Sequence, residues 1–239
     1  RPLFSGASYC TMRSSPTSNP TRRTRSAPSS SVVKNKARWK LDPEVLDDAC
    51  LLVIDGQKKY LHNTNVEVAL PQISRLIDWM RRHGKDVYWT QFRQIDGYNS
   101  FPGEAHHDFH GGGEDQTQLI LEGDEDIIPS IHPDAHGLKR SRIFATSRYS
   151  SFTNAELATK LTSHRTIIVV GGWSEFCVLA TCVAASDRNG EAVVASDALF
   201  TERVARNGWA QELIATGCGR VETTREILRA LARSIRNAS

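Results

Sequence analysis

No stretch of this chain approaches the roughly 18 consecutive apolar residues that a helix needs to cross a bilayer, so a helical membrane span is excluded. Cysteine is sparse and poorly placed for cross-linking. Cys10, Cys50, Cys177, Cys182 and Cys218 are odd in number and never spaced C-x-x-C. That argues against a disulfide framework or a zinc site and points to a reducing compartment. No internal repeat is present. Acidic residues are missing altogether from the first forty positions, which hold nine Lys/Arg (Arg1, Arg13, Arg22, Arg23, Arg25, Lys34, Lys36, Arg38, Lys40). The net charge of +3 therefore hides a division, because 21 basic and 27 acidic residues remain from Leu41 onward, about −6.

Residues 1–40 also carry nine serines and four prolines with almost no apolar periodicity. Such a segment buries too little surface to offset its ordering entropy and is expected to be disordered alone. We read it as a basic arm suited to RNA phosphate or an acidic protein surface. A residual targeting segment is the other reading, since an acid-free Arg/Ser composition is that of an organelle transit peptide and the chain begins at Arg1. The mitochondrial matrix is the expected compartment under that reading, and another reducing compartment otherwise. At 239 residues with 39% hydrophobic content, the remainder, 41–239, suffices for one α/β domain.

From Asp47 the pattern is regular. "ACLLVID" has the form of a strand buried on both faces. Pro71 suits a first helical turn, with Ile73, Leu76, Ile77 and Met80 on one stripe and Gly84 as the stop. "DVYWTQF" is a second strand, and Arg93 to Pro133 a long segment of loop with a short strand or helix. "RIFAT" is a third strand, followed by a helix over 154–162 headed by a Thr153/Glu156 capping box. Strand 166–170, helix 174–189, strand 191–195, helix 201–216, the short strand "GRVET" and helix 223–235 complete the chain. This alternation predicts a three-layer α/β/α fold with a mainly parallel sheet, behind an irregular N-terminal arm. Ligands of such sheets sit beyond the carboxyl ends of the strands, where Asp55, Thr146 and the turn "GGWSEFC" converge.

Cys177 falls in the first turn after that glycine pair. Unpaired N–H donors and the helix dipole favour thiolate there. A neighbouring carboxylate can take the thiol proton and return it to a leaving group, and the glycine N–H groups can form an oxyanion hole. The plainer alternatives stay open: a helix cysteine that only packs, and a strand-end aspartate that only caps a turn.

"LLVIDGQ" (51–57), "RYSSF" (148–152), "VVGGWSEFCV" (169–178) and "VVASDA" (193–198) resemble, in order and spacing, the isochorismatase-like cysteine hydrolases, which include nicotinamidases and N-carbamoylsarcosine amidases. The resemblance covers about residues 47–232. It implies the isochorismatase-like fold, Asp55 as general base, Cys177 as nucleophile, and a cis peptide near Gly172–Trp173–Ser174. Gln57, Gly172, Trp173 and Phe152 are the implied substrate contacts, and a dimer or tetramer the implied oligomer. It also implies a lysine at the end of the third strand, where this chain has Thr146. Arg148 and Lys139 are the candidate cations to replace it. The nicotinamidase metal pattern is missing from "TQFRQIDGYNSF", His106, His107 and His110 read as exposed loop residues, and "GGG" at 111–113 precedes no helix. Neither a metal nor a cofactor is expected. Two functional readings follow. One is a catalytically degraded family member, held by its arm as a subunit of a larger assembly such as a mitochondrial ribonucleoprotein. The other is an active cysteine hydrolase opening an amide, ureido or vinyl-ether bond of a small molecule in the Cys177 crevice.

Overall fold

In the computed structural model, which describes residues 41, 43–92 and 126–238, the apolar runs form six strands. These are β1 (Ala49–Ile54), β2 (Val87–Phe92), β3 (Ile143–Thr146), β4 (Thr166–Gly171), β5 (Glu191–Leu199) and β6 (Arg220–Glu222). All pair in parallel, in the order β3-β2-β1-β4-β5-β6. The chain lays strands outward from β1 to one edge, then restarts at β4 and proceeds to the other. The winding reverses between β1 and β4, and in sheets of this kind the ligand crevice lies beyond the carboxyl ends of the strands at such a point.

Both faces are covered, as the unbroken apolar runs require. Leu51 and Val53 of β1 join the core formed with α1 (Val66–Arg82) and α5 (Thr224–Ala238), through Ile73, Leu76, Ile227 and Leu231. Cys50, Leu52 and Ile54 point the other way, into the core under α2 (Ala155–Thr162), α3 (Leu179–Ser186) and α4 (Val204–Gly217). The three-layer α/β/α architecture is as predicted. No helix among the described residues is long and apolar enough to cross a membrane.

Several local expectations need correction. Helix α1 begins at Val66, so Pro71 sits inside it and not in its first turn. Burial of Val66 and Ala69 on the stripe that continues to Ile73 extends the helix upstream, at the cost of the hydrogen bond proline cannot donate. Helix α2 is capped by Asn154, whose Oδ1 accepts from Leu157 N–H at 3.0 Å, while Thr153 Oγ1 donates to Ser150 O at 2.7 Å. Strand β5 runs to Leu199, beyond the expected 195, because a register shift between Val169 and Gly171 lets Gly171 pair with Leu199. Thr201 is held by Thr64 in an isolated bridge, so α4 starts at Val204. Asp197 of "VVASDA" caps α5, accepting from Thr224 N–H at 2.7 Å and Oγ1 at 2.8 Å. Residues 1–40, with the arm, and 93–125, with His106, His107, His110 and Gly111–Gly113, lie outside the described residues.

Candidate active site

Asp55 is the first residue past β1. Its φ of 47° turns the chain in the left-handed region that aspartate tolerates better than most side chains. It is 2% exposed. Thr90, from the neighbouring β2, engages it twice, accepting Asp55 N–H at 3.1 Å and donating to Oδ1 at 2.6 Å. The carboxylate is therefore aimed by a single hydroxyl that also holds its own backbone. Two residues on, the carboxamide of Gln57 closes a pair of bonds with the backbone of Phe92, Nε2 to O at 3.1 Å and N–H to Oε1 at 2.9 Å. Gln57, implied as a substrate contact, thus latches the β1 turn to the end of β2.

The β4 turn lies alongside, because Ile54 and Gly171 are register partners. Gly171 has φ 103°, and a Cβ there would fall 2.1 Å from Ile54 O. A Cβ on Gly172 would meet the Phe200 ring at 2.4 Å. Only glycine fits either position. The peptide between Gly172 and Trp173 is cis. Gly172 N–H donates to Ile54 O at 3.0 Å, which corrects the expectation that this donor faces an oxyanion.

Cys177 occupies a π-helical turn, Ser174–Val178, ahead of α3, and not the first turn of an α-helix. Val178 N–H reaches back five residues to Trp173 O at 3.1 Å. Single π turns often mark functional positions. Cys177 forms no disulfide and is 8% exposed, in the core layer with Phe152 and Cys182. Burial pushes the thiols of Cys50 and Cys182 well up, reinforced by Asp86 at the first and Cys218 at the second.

The turn is clamped on its outer side. Glu175 Oε2 accepts from Thr201 Oγ1 at 2.6 Å and Ser174 Oγ at 3.1 Å, and Arg206 lies 3.8 Å from Oε1. Thr201 exchanges backbone hydrogen bonds with Thr64 at 2.8 and 3.3 Å, so the turns after β1, β4 and β5 form one unit. Ser151 N–H and Oγ each lie 3.1 Å from Thr181 Oγ1, tying the turn after β3 to α3 one turn beyond Cys177.

Thr146 is buried at the end of β3, in register with Phe92. Arg148 is exposed two residues later. Lys139 is exposed ahead of β3, at the strand end opposite Thr146. Phe152 is 7% exposed, with the Arg188 guanidinium 4.8 Å above its ring.

Sequence reasoning missed five residues here. Thr90 gave no signal, because a threonine inside a strand is ordinary. Tyr60 and Trp173 rings are 5.5 Å apart, and Tyr149 stacks on Phe176 at 5.3 Å and 21°. Tyr149 and Phe176 sat inside the quoted motifs, and Tyr60 is an aromatic five residues past a strand-end acid; each was there to be noticed. Asn63 is 7% exposed, and neither polar atom of its side chain has a hydrogen-bond partner among the described residues. Among those residues no group of three His, Cys, Asp or Glu side chains can hold a metal ion.

The arrangement offers the parts of acyl-transfer chemistry: a buried, oriented carboxylate just past β1 and a thiol in the turn after the neighbouring β4, with backbone turns pressed close by two glycines. A family model for the isochorismatase domain matches residues 49–226. Among solved structures, a cysteine hydrolase from Pseudomonas syringae pv. phaseolicola is 22% identical, with a TM-score of 0.68 over 82% of this chain and 97% of its own. A ribonuclease from Caenorhabditis elegans is 19% identical (TM-score 0.59, 81% of this chain, 84% of its own). N-carbamoylsarcosine amidase from Thermoplasma acidophilum is 17% identical (TM-score 0.58, 74% and 96%). These structures share the fold. A comparison with curated proteins returns no match.

Proposed function

The chain belongs to the isochorismatase family, and we propose from that premise that it is a cysteine hydrolase opening an amide, ureido or vinyl-ether bond of a small molecule in the Cys177 crevice. What supports the reading is the pairing of Ile54 with Gly171, by which the chain leaves β1 at Asp55 beside the start of the turn that leads to Cys177. In the amide case the thiol proton passes to Asp55 as Sγ attacks the carbonyl carbon. Asp55 returns it to the departing amine, and a thioester remains. Water then attacks the thioester, giving its proton to Asp55, and the thiol is restored as the acid leaves. Thr146, where the resemblance implies a lysine, brings no charge to these steps. Turnover of an amide and ureido panel should fall by roughly three orders of magnitude in Cys177→Ala and Asp55→Asn. Equal rates in wild type and Cys177→Ala would end the hydrolase reading.

A second reading rests on residues 1–40, with nine basic and no acidic side chains. In it the domain is a weak or inactive family member carried by this arm as a subunit of a mitochondrial assembly, an RNA-containing one being the natural partner for such charge. Native protein in a low-salt lysate should then sediment with a heavy fraction that nuclease or raised salt releases. Sedimentation as a free small oligomer would count against it.

A further inference from the structure

Helix α5 docks on the sheet through Ile227, Ala230 and Leu231, and its outward face is of one kind. From Thr224 to Arg236 every exposed residue is an arginine: Arg225, Arg229, Arg233 and Arg236. Spacings of four, four and three residues put them on one stripe, about 16 Å long at about 1.5 Å per residue. Acids adjoin the helix but are engaged elsewhere. Asp197 accepts from Thr224, Glu226 from Thr223 N–H at 2.9 Å and Oγ1 at 2.7 Å, and Asp47 from Ser234 Oγ at 3.1 Å. Among the described residues none of the four arginines forms an ion pair. Like charges four residues apart weaken a helix, and Arg225 in the first turn also opposes the helix dipole. An all-arginine face is thus unfavourable to the helix that carries it, in a domain of net charge about −6, and an anionic partner would relieve it.

We infer that this stripe binds the phosphates of an RNA strand. The inference rests on the second reading, of an RNA-containing partner, and deepens it by placing a phosphate-binding surface on the folded domain in addition to residues 1–40. A guanidinium offers phosphate oxygens two parallel donors in a planar fork, and the cations here are all arginine, none lysine. Strand phosphates repeat along a line, as the stripe does, whereas an isolated anion needs a concave pocket that a convex helix face does not provide. An anionic membrane surface fits less well. An interfacial helix sets apolar side chains beside its cations, and α5 exposes none between Thr224 and Arg236.

The test is the salt dependence of binding to a fluorescein-labelled single-stranded RNA of mixed sequence, read by anisotropy on the full chain between about 50 and 200 mM KCl. Each phosphate neutralised on a single strand contributes about 0.7 to the slope of log affinity against log salt. Replacing Arg225, Arg229, Arg233 and Arg236 together by Gln should therefore lower the slope by about 3, and Arg229→Gln alone by about 0.7. A control set, Arg81→Gln with Arg140→Gln, Arg165→Gln and Arg203→Gln, removes equal charge from exposed positions elsewhere and should lower it by less than about 1. The α5 set should melt no lower than wild type, since like charges are removed; if it does melt lower, the single Arg229→Gln variant carries the test. An equal fall in both sets would reduce the effect to net charge, and an unchanged slope in the α5 set would give the stripe to some other acidic partner. Either result, or no RNA binding by wild type, overturns the inference. The second reading is judged separately, by sedimentation of the native protein from a lysate, because residues 1–40 are intact in every variant.

Discussion

Thr90 Oγ1 lies 2.6 Å from Asp55 Oδ1 and accepts the backbone N–H of the same aspartate at 3.1 Å. One hydroxyl thus fixes both the turn at the end of β1 and the direction of the only described carboxylate that the proposed chemistry uses. Its donor and acceptor capacities are both engaged, which a valine of the same shape cannot reproduce.

Thr90→Val should therefore destabilise the protein by about 1–3 kcal/mol, the cost of leaving buried polar groups unpaired. Urea unfolding of the two proteins checks this. A difference within about 0.5 kcal/mol would mean that the bonds at Asp55 are readily replaced by water.

Gly171→Ala should be among the most damaging single-methyl changes in the domain. The added Cβ would fall 2.1 Å from the Ile54 carbonyl at a φ of 103°. Backbone on one side and an unfavourable conformation on the other leave no cheap relaxation, and a loss of about 2–4 kcal/mol follows. Thermal melts against Gly84→Ala, where a Cβ meets nothing within 4 Å but φ is again positive, separate the clash from the conformational cost.

Asn63→Leu should stabilise the protein by about 1 kcal/mol, because a buried carboxamide without partners among the described residues gives way to an apolar side chain of similar size. The melting temperature reads this directly. A fall would show that the carboxamide is satisfied by bound water.

Acid sensitivity should depend on Asp86. Burial pushes its carboxyl up, but the hydrogen bond and charge of Arg142, 2.9 Å away, prevail and hold it below its ordinary 3.8. A carboxyl lowered in the folded state contributes stability above its unfolded value, and that contribution is lost as pH falls through the folded one. Arg142→Gln should accordingly be less stable than wild type at pH 6, with the gap closing below about pH 4. A gap that persists unchanged at pH 3 would assign the effect to packing of Arg142 over the Tyr88 ring, 5.8 Å from its centroid.

Much of the fold was legible because its strands are buried on both faces, so "ACLLVID", "TIIVV" and "AVVAS" stand out as apolar runs whatever their neighbours. The stop at Gly84 was legible too, since φ of 66° there is a local demand. The start of α1 was not. Pro71 looked like a first-turn residue on local grounds, and only the docking of Val66 and Ala69 on the sheet carries the helix upstream of it.

The site divides in the same way. Sequence alone determined that an acid ends one strand and a glycine-paired turn with a cysteine ends another, because residue order and strand length are local properties. Tertiary structure decided that β1 and β4 are neighbours, that the cysteine sits in a π turn, and that Thr90 reaches the acid. Those depend on which strands pair and on where side chains point across a crevice, and both are set by burial shared among segments far apart in the chain.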